Sequence, residues 1–489
     1  MRGHWFAAVT CATLPSTAGF GFSITTLNSN PVLHAVSIAS RFTVNTHVEH
    51  SRQRISRRTM LAAAIESVAV VGGGIGGLTT AIALQKLPTG VKDVQLFEKF
   101  DTIKPGIGAG IQINSGALVL ARLGLGEAIK ESGIPVKRIL SRTVDGRVIL
   151  DLDIHQSIWS DSERKRLLTD GGTPMLFTVM RDRLMQILSD ALKPGIVNVG
   201  RDLASINETP EGTFLTFTDK SIAGPFDLVV GADGINGVVQ KSILRKGGEG
   251  RVNPINSGIR IQFGVAPAGQ RPERSEGELH MWFGGDTYAL TGTYGGIGGD
   301  KYDMLAAVYQ DKERQEYPSL DENASWDKTE TKQVCLQRLR TLEFPQEVYG
   351  VAEACNRFFE LGVYYRNPLQ AWVGGDGSNI LLLGDAAHAM PPNLGQGANQ
   401  AIQDAYCLAE CLVELNSGGH GGSLRNALGH YEAKRKLPVT SLLVKSAVVG
   451  ALETLSGPFG EAFRANFFYG MWKVGGAERV FIDGATPKV

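Results

Sequence analysis

Ser67-Val68-Ala69-Val70-Val71-Gly72-Gly73-Gly74-Ile75-Gly76-Gly77 is a short apolar run that breaks into glycines. The pattern from Gly76 to Leu87 is helical, and Val94 to Glu98 reads as a second strand. Strand, tight turn, helix and strand form the βαβ setting in which such glycines bind a dinucleotide. Gly72 permits the tight turn, Gly74 lets the backbone approach a pyrophosphate, and Gly77 lets the helix pack close to the strand. The helix start then offers phosphates its unpaired N–H groups and partial positive charge. Glu98 ends the second strand where a carboxylate hydrogen-bonds a ribose hydroxyl and would repel a 2′-phosphate. That favours FAD or NAD over NADP in this pocket.

A second glycine-rich stretch lies far downstream: Gly384-Asp385-Ala386-Ala387-His388, followed by Pro391-Pro392 and Gly395-Gln396-Gly397. The buried-looking strand Asn379 to Leu383 feeds it, and the helical run Asn399 to Leu415 leaves it. If both stretches serve one ligand, the chain between them must fold back onto the same sheet. Within that chain Gly116 to Ile129 reads as helical, and Arg181 to Leu192 as an amphipathic helix with Leu184, Ile187 and Leu188 on one face. Phe214 to Phe217 alternates, and Phe226 to Gly231 is a strand leading into Ala232-Asp233-Gly234. Ile259 to Val265, Glu278 to Phe283, Tyr288 to Tyr294 and Tyr302 to Tyr309 are successive strands with Gly-rich turns, which predicts an antiparallel sheet. Pro318 to Lys332 reads as a loop and Gln333 to Leu342 as a helix; Leu424 to Arg435 is a further helix after the break at Ser417 to Gly422.

The predicted fold is α/β: a Rossmann-like FAD-binding domain, an inserted mixed or antiparallel β-sheet substrate domain and a C-terminal helical segment. The expected divisions are a targeting leader (1–66), the FAD-binding domain (67–250 and 365–437, the first part lending strands to the substrate domain), the substrate domain (251–364) and the C-terminal segment (438–489).

With 489 residues, 43% of them hydrophobic, and 49 basic against 49 acidic side chains, the chain has the composition of an ordinary globular protein with a large core. Balanced charge argues against nucleic acid as a partner. The five cysteines show neither zinc spacing nor a disulfide framework. Ser, Thr, Ala and Arg dominate the first sixty or so residues, with Lys absent and Glu49 as the only acid before Glu66. This is transit-peptide composition, and the apolar stretch Trp5 to Phe22 ahead of it reads as a signal-like segment. A bipartite plastid leader is the expectation, with a mitochondrial presequence as the alternative. No later stretch reaches the roughly eighteen apolar residues of a spanning helix.

Gly72 to Gly77 with Glu98, Gly108-Ala109-Gly110-Ile111-Gln112-Ile113 with Asn114 to Leu118, Arg181 with Leu184, and Gly384 to Asn399 together resemble the single-component FAD-dependent monooxygenases. That group includes salicylate hydroxylase and zeaxanthin epoxidase, and the likeness runs from about Ser67 to Pro438. Gly231-Ala232-Asp233-Gly234 adds a weaker match. The resemblance implies that Asp385 accepts hydrogen bonds from the ribityl chain and that Arg181 lies along the phosphates or the ribityl chain. It also implies that the loop Pro391 to Gly397 runs beside the flavin ring, with the Pro392 carbonyl near the carbon that receives oxygen. Ala398 and Asn399 then open a helix toward the pyrimidine edge, an N-terminus worth about 0.3 to 2 kcal/mol to a developing negative charge. Asp233 is carried over as a contact of the nucleotide region. The sequence departs from the family at Gly237, where Ser is usual, and at Gln240, where Arg is usual; Lys241 is the neighbouring cation.

The chemistry implied is reduction of FAD by NAD(P)H, capture of dioxygen as a flavin hydroperoxide and transfer of one oxygen atom to an electron-rich apolar or aromatic substrate. Aromatic hydroxylation and alkene or carotenoid epoxidation both remain open, as does an isoprenoid oxidoreductase that incorporates no oxygen. A phenol benefits from a base, whereas an alkene does not. His280, Tyr288 and Tyr294 on the inserted sheet are candidates for it, and His388 is a further candidate within the second motif. Each also has an ordinary packing or hydrogen-bonding reading. Leu437 to Leu455, then Phe463, Phe467, Phe468, Tyr469 and Trp472, form an apolar, aromatic end to the chain. It reads as core, or alternatively as a tunnel lining or a peripheral membrane contact.

Overall fold

Two sheets organise the protein. The computed structural model describes residues 65–103, 109–154, 176–246, 253–272, 275–311 and 329–489. Residues 1–64 of the expected leader, Gly108 and residues 318–328 of the expected loop lie outside these residues, and the end of that loop, 329–332, belongs instead to the helix Thr329–Thr341.

In the first sheet all strands run parallel, in the order Ile380–Leu382, Leu228–Gly231, Ser67–Val71, Asp93–Phe97, Val197–Asn198. The downstream strand therefore joins the sheet begun by the glycine turn, with Leu228–Gly231 between them. Val68, Ala69 and Val70 are fully buried, as expected for a central strand covered on both faces. The helix Ile75–Lys86 is apolar on most of its circumference because it lies between this sheet and the helix Gly397–Asn416. A small three-stranded sheet, Leu203–Thr209, Gly212–Phe217 and Ile222–Phe226, packs alongside.

The second sheet has the order Arg357–Tyr365, Ile255–Pro267, Lys301–Gln310, Thr287–Gly295, Glu278–Gly284, Arg138–Thr143, Val148–Asp153. It is mixed, since Arg138–Thr143 runs parallel to Glu278–Gly284 while the other pairs are antiparallel. Period-two alternation gives it two apolar faces. Leu305, Ala307, Ala289 and Trp282 meet the helices Thr329–Thr341 and Gln346–Ala354. Met304, Ala306, Val308, Tyr288, Tyr294, Ile261 and Phe359 share the opposite face. The strand Phe177–Met180 pairs with Gly110–Ile113 and touches Gly295, which ties this sheet to the dinucleotide half.

Two expectations are corrected. The helical run from Gly116 breaks at Gly124, whose φ of 80° suits glycine, into Ser115–Arg122 and Gly126–Ser132. The helix placed at Leu424 to Arg435 continues to Glu453, so the division at 438 falls inside it. Pro438 removes one backbone donor. The helix nevertheless persists because Tyr431, Arg435, Val439, Leu442, Ser446, Gly450 and Glu453 form one buried stripe across the proline. The helices Gly457–Lys473 and Gly476–Ala485 complete the C-terminal segment.

Candidate active site

The glycine turn is built by backbone crowding. At Gly72, with φ of 108°, a Cβ would stand 2.4 Å from the Ala232 carbonyl oxygen. At Gly77 it would stand 1.9 Å from the Gly72 carbonyl oxygen, so the helix seats on the strand only without a side chain there. Gly74 differs: a Cβ would meet nothing within 4 Å. It caps the helix Ile75–Lys86 without a side-chain hydrogen bond, leaving the first N–H groups free of intrahelical partners. Open space above a bare helix start fits a pyrophosphate. Glu98 is buried beside the turn, where one oxygen accepts from Gly73 N (2.7 Å) and the other from Phe100 N (3.1 Å).

The downstream motif meets this turn directly. A Cβ at Gly76 would stand 2.8 Å from Leu383 and 3.5 Å from Ala401, so the two stretches converge across that glycine. Beneath them lies a buried ionic cluster. Asp404 accepts from Gly384 N (2.9 Å), pairs with His388 Nε2 (2.5 Å) and accepts from Arg435 Nε (2.8 Å), with all three side chains essentially inaccessible. The opposite charges of His388 and Arg435 outweigh burial, which would raise the pKa, and hold the Asp404 carboxyl down at about 2. His388 also packs on Trp372, with ring centroids 4.9 Å apart. Its Nε2 is spent on Asp404 and the ring is buried, so it fixes the turn that carries Asp385. Asp385 itself is exposed among buried neighbours. Arg181 opens the helix Arg181–Asp190; burial lowers its pKa, and the nearby Asp385 carboxylate opposes that shift.

Asn399 staples the ring-side loops. Its Oδ1 accepts from Asn114 N (2.9 Å) and Gly116 N (3.0 Å), while its Nδ2 donates to the carbonyls of Gln112 and Gly395, each at 2.9 Å. The side chain is thereby saturated. What remains for a ligand is the backbone start of the helix Gly397–Asn416, including Ala398. Gly395 adopts φ of 61° and donates to the Pro392 carbonyl at 2.7 Å, and a Cβ at Gly397 would meet open space.

Around Asp233 the departures at Gly237 and Gln240 have a structural counterpart. A Cβ at Gly237 would stand 2.2 Å from Asp233 Oδ1, so a serine there would require the Asp233 carboxylate to move. Burial pushes the Asp233 carboxyl up to about 6, against hydrogen bonding from Val239 N and the charge of Lys241. Arg366, at the end of the strand Arg357–Tyr365, donates to the Ile235 carbonyl, and the Asp233 carboxylate counters the lowering of its pKa by burial. A guanidinium thus stands here although position 240 lacks one.

Of the candidate bases, Tyr288 and Tyr294 share the face with Met304 and Phe359. His280 pairs with Thr291 and shares the parity of Trp282, on the other face. It is held there between Glu347 (2.6 Å) and Glu278 (2.7 Å), which removes it from the substrate side. Tyr294 is buried, which raises its pKa, and hydrogen-bonds Gln112.

These features have close parallels. The 3-amino-4-hydroxybenzoate 2-monooxygenase of Streptomyces cremeus is 30% identical over 378 residues, covering 76% of this chain and 84% of the relative. A family model described as an FAD binding domain matches residues 66–446. The chain belongs to the family of FAD-dependent monooxygenases. Klebsiella pneumoniae HpxO, solved with FAD and uric acid, superposes on this monooxygenase with a TM-score of 0.67 at 20% identity, covering 86% of this chain and 97% of its own. A salicylate hydroxylase substrate complex gives a TM-score of 0.62 at 23% identity, covering 86% and 98%. Both likenesses concern the fold. The open helix start at Gly74, the Arg181 and Asp385 pair and the bare helix start at Gly397 fit FAD in the monooxygenase. Sequence reading missed Asp404, Arg435, Arg366 and Glu453, none of which stands in a spaced motif, and it gave Asn393 no role although that residue lies within the loop Pro391 to Gly397. For Asp404, Arg435 and Glu453 the available signal was a buried polar stripe along two helical patterns.

Proposed function

We propose that the protein consumes NAD(P)H and hydroxylates an electron-rich aromatic substrate with one atom of dioxygen. The supporting observation is the apolar sheet face of Ile261, Met304, Ala306, Val308 and Phe359 set opposite the loop Pro391 to Gly397, with the Tyr288 and Tyr294 hydroxyls as polar points on it. Bound FAD would supply the activation of oxygen. The protein's part is to hold an apolar ring beside the Pro392 carbonyl, keep water out and present fixed dipoles where charge develops. Gly72, Gly74, Gly77 and Glu98 would bind the adenosine and pyrophosphate end. Arg181, Asp233 and Asp385 would hold the middle, and Gly395, Gly397, Ala398 and Asn399 would frame the ring. His388 acts in this reading through the turn it supports. The similarity to the aminohydroxybenzoate monooxygenase of Streptomyces cremeus favours a small aromatic acid or phenol.

A second reading, epoxidation of a carotenoid or similar alkene, is favoured by one observation. Phe459, Phe463 and Tyr469 are exposed along the helix Gly457–Lys473, a surface suited to peripheral contact with lipid. It fits a plastid address, with the mitochondrion as the alternative. Leader-free protein reconstituted with FAD should be reduced by NADH or NADPH in stopped flow and should place isotopic oxygen from ¹⁸O₂ into a phenolic acid. Label in a xanthophyll epoxide instead supports the second reading, and reduction without label in any product defeats both.

A further inference from the structure

The helix Leu424–Glu453 reaches the active site beyond the matched region, which ends at residue 446. Ser446 Oγ donates to the Pro391 carbonyl at 2.7 Å, and one turn on, Gly450 gives Asn393 room: a Cβ there would stand 2.6 Å from Asn393 Oδ1. One further turn brings in Glu453, which is 3% exposed. Asn393 Nδ2 donates to Glu453 Oε2 (2.9 Å) and lies 3.3 Å from the Tyr288 hydroxyl, which is itself hydrogen-bonded to Glu453. Three parts of the molecule thus meet at one carboxyl: the substrate sheet through Tyr288, the ring-side loop through Asn393, and the helix Leu424–Glu453.

We infer that Glu453 is a positioning residue of the monooxygenase, which locks the loop Pro391 to Gly397 against the substrate sheet through Asn393 and Tyr288. The inference deepens the proposed function and rests on it only for the identity of the reaction. The titratable groups facing Glu453 are Tyr288 on the sheet and Arg464 on the helix Gly457–Lys473; Glu461 and Asp286 act on Arg464 in turn. Arg464 Nη1 is committed to the carbonyls of Gly285, Glu453 and Leu455 at 2.8 to 3.0 Å, so it ties down the helix end and does not chelate the carboxylate. Burial is the largest influence on Glu453 and pushes its carboxyl up to about 8, above the opposing effect of its hydrogen bonds. Ionisation would leave a charge beside an apolar face, and the cheapest response is for the loop to part from the sheet.

The test uses the holoenzyme and needs no substrate: the rate of FAD release, with the visible spectrum of the bound flavin, is followed from pH 6 to 9. Release by the wild type should accelerate about tenfold as pH rises through the Glu453 titration, with a matching spectral change. Glu453→Ala should release FAD fast at every pH, and Glu453→Gln should restore slow release without the alkaline acceleration. If Glu453→Ala does not fold, Glu453→Gln and Tyr288→Phe decide the matter, the latter by a raised midpoint, because the lost hydrogen bond favoured the ionised carboxyl. A Glu453→Gln profile that follows the wild type, or alanine and glutamine variants that behave alike, overturns the inference. A wild type showing this profile yet incorporating no oxygen keeps the inference and fails the proposed function.

Discussion

The dinucleotide half and the substrate half are held together by different means. In the first, backbone meets backbone at Gly72 and Gly77, and an ionic cluster of Asp404, His388 and Arg435 is sealed below. In the second, an apolar sheet face meets a loop through a few neutral hydrogen bonds around Asn393, Tyr288 and Glu453. The first arrangement fixes a cofactor that stays; the second has to admit and release substrate. Stability should therefore be concentrated at Asp404, and pH sensitivity near neutrality at Glu453.

Breaking the sealed cluster should have the largest effect. Asp404→Ala leaves Arg435 and His388 buried without their anion and should cost about 3 to 5 kcal/mol in denaturant unfolding. A loss below about 1 kcal/mol, the range of a surface ion pair, would remove the distinction between the halves. Gly77→Ala comes next, since its Cβ faces a carbonyl oxygen at 1.9 Å; about 1 to 3 kcal/mol of stability should go, together with FAD affinity.

The two carboxyls should also separate by pH. Glu453 rises from an ordinary 4.5 to about 8, so the folded chain keeps a proton that the unfolded chain has released. Its stabilisation is complete below 4.5 and is lost as pH climbs to about 8, at about 1.4 kcal/mol per pH unit. Asp404 has the opposite sign: its contribution is present above 3.8 and is lost as pH falls toward about 2. Melting curves of wild type and Glu453→Gln from pH 5 to 8 should diverge with that slope, and parallel curves would refute the assignment. The smallest effect is expected at Tyr294→Phe, which deletes one neutral hydrogen bond to Gln112 and should cost about 1 kcal/mol.

The same contrast explains what could be read from the chain. Gly72, Gly74, Gly77 and Glu98 act within one βαβ unit, so their spacing carries their geometry, and the alternation of Tyr288 to Tyr294 and Tyr302 to Tyr309 gave the strands. The side assigned to His280 required the pairing of His280 with Thr291, a register that no local pattern specifies. Asp404 and Arg435 stand on different helices and gain meaning only when those helices pack. Local propensity opposes a helix through Pro438, while the buried stripe that overrides it is a tertiary property. Glu453 lay in a segment whose apolar composition suggested core or lipid, and its role depends on contacts with residues far away in sequence.

The two glycine-rich stretches enclose one FAD in this reading, and Gly74 offers the cleanest test of it. Its backbone is extended and a Cβ there meets nothing within 4 Å, so Gly74→Val should unfold at the wild-type denaturant midpoint when FAD is absent. In a fluorescence titration the same variant should bind FAD at least about tenfold more weakly, because the methyl groups occupy the path of the pyrophosphate. Wild-type FAD affinity in Gly74→Val would contradict the account.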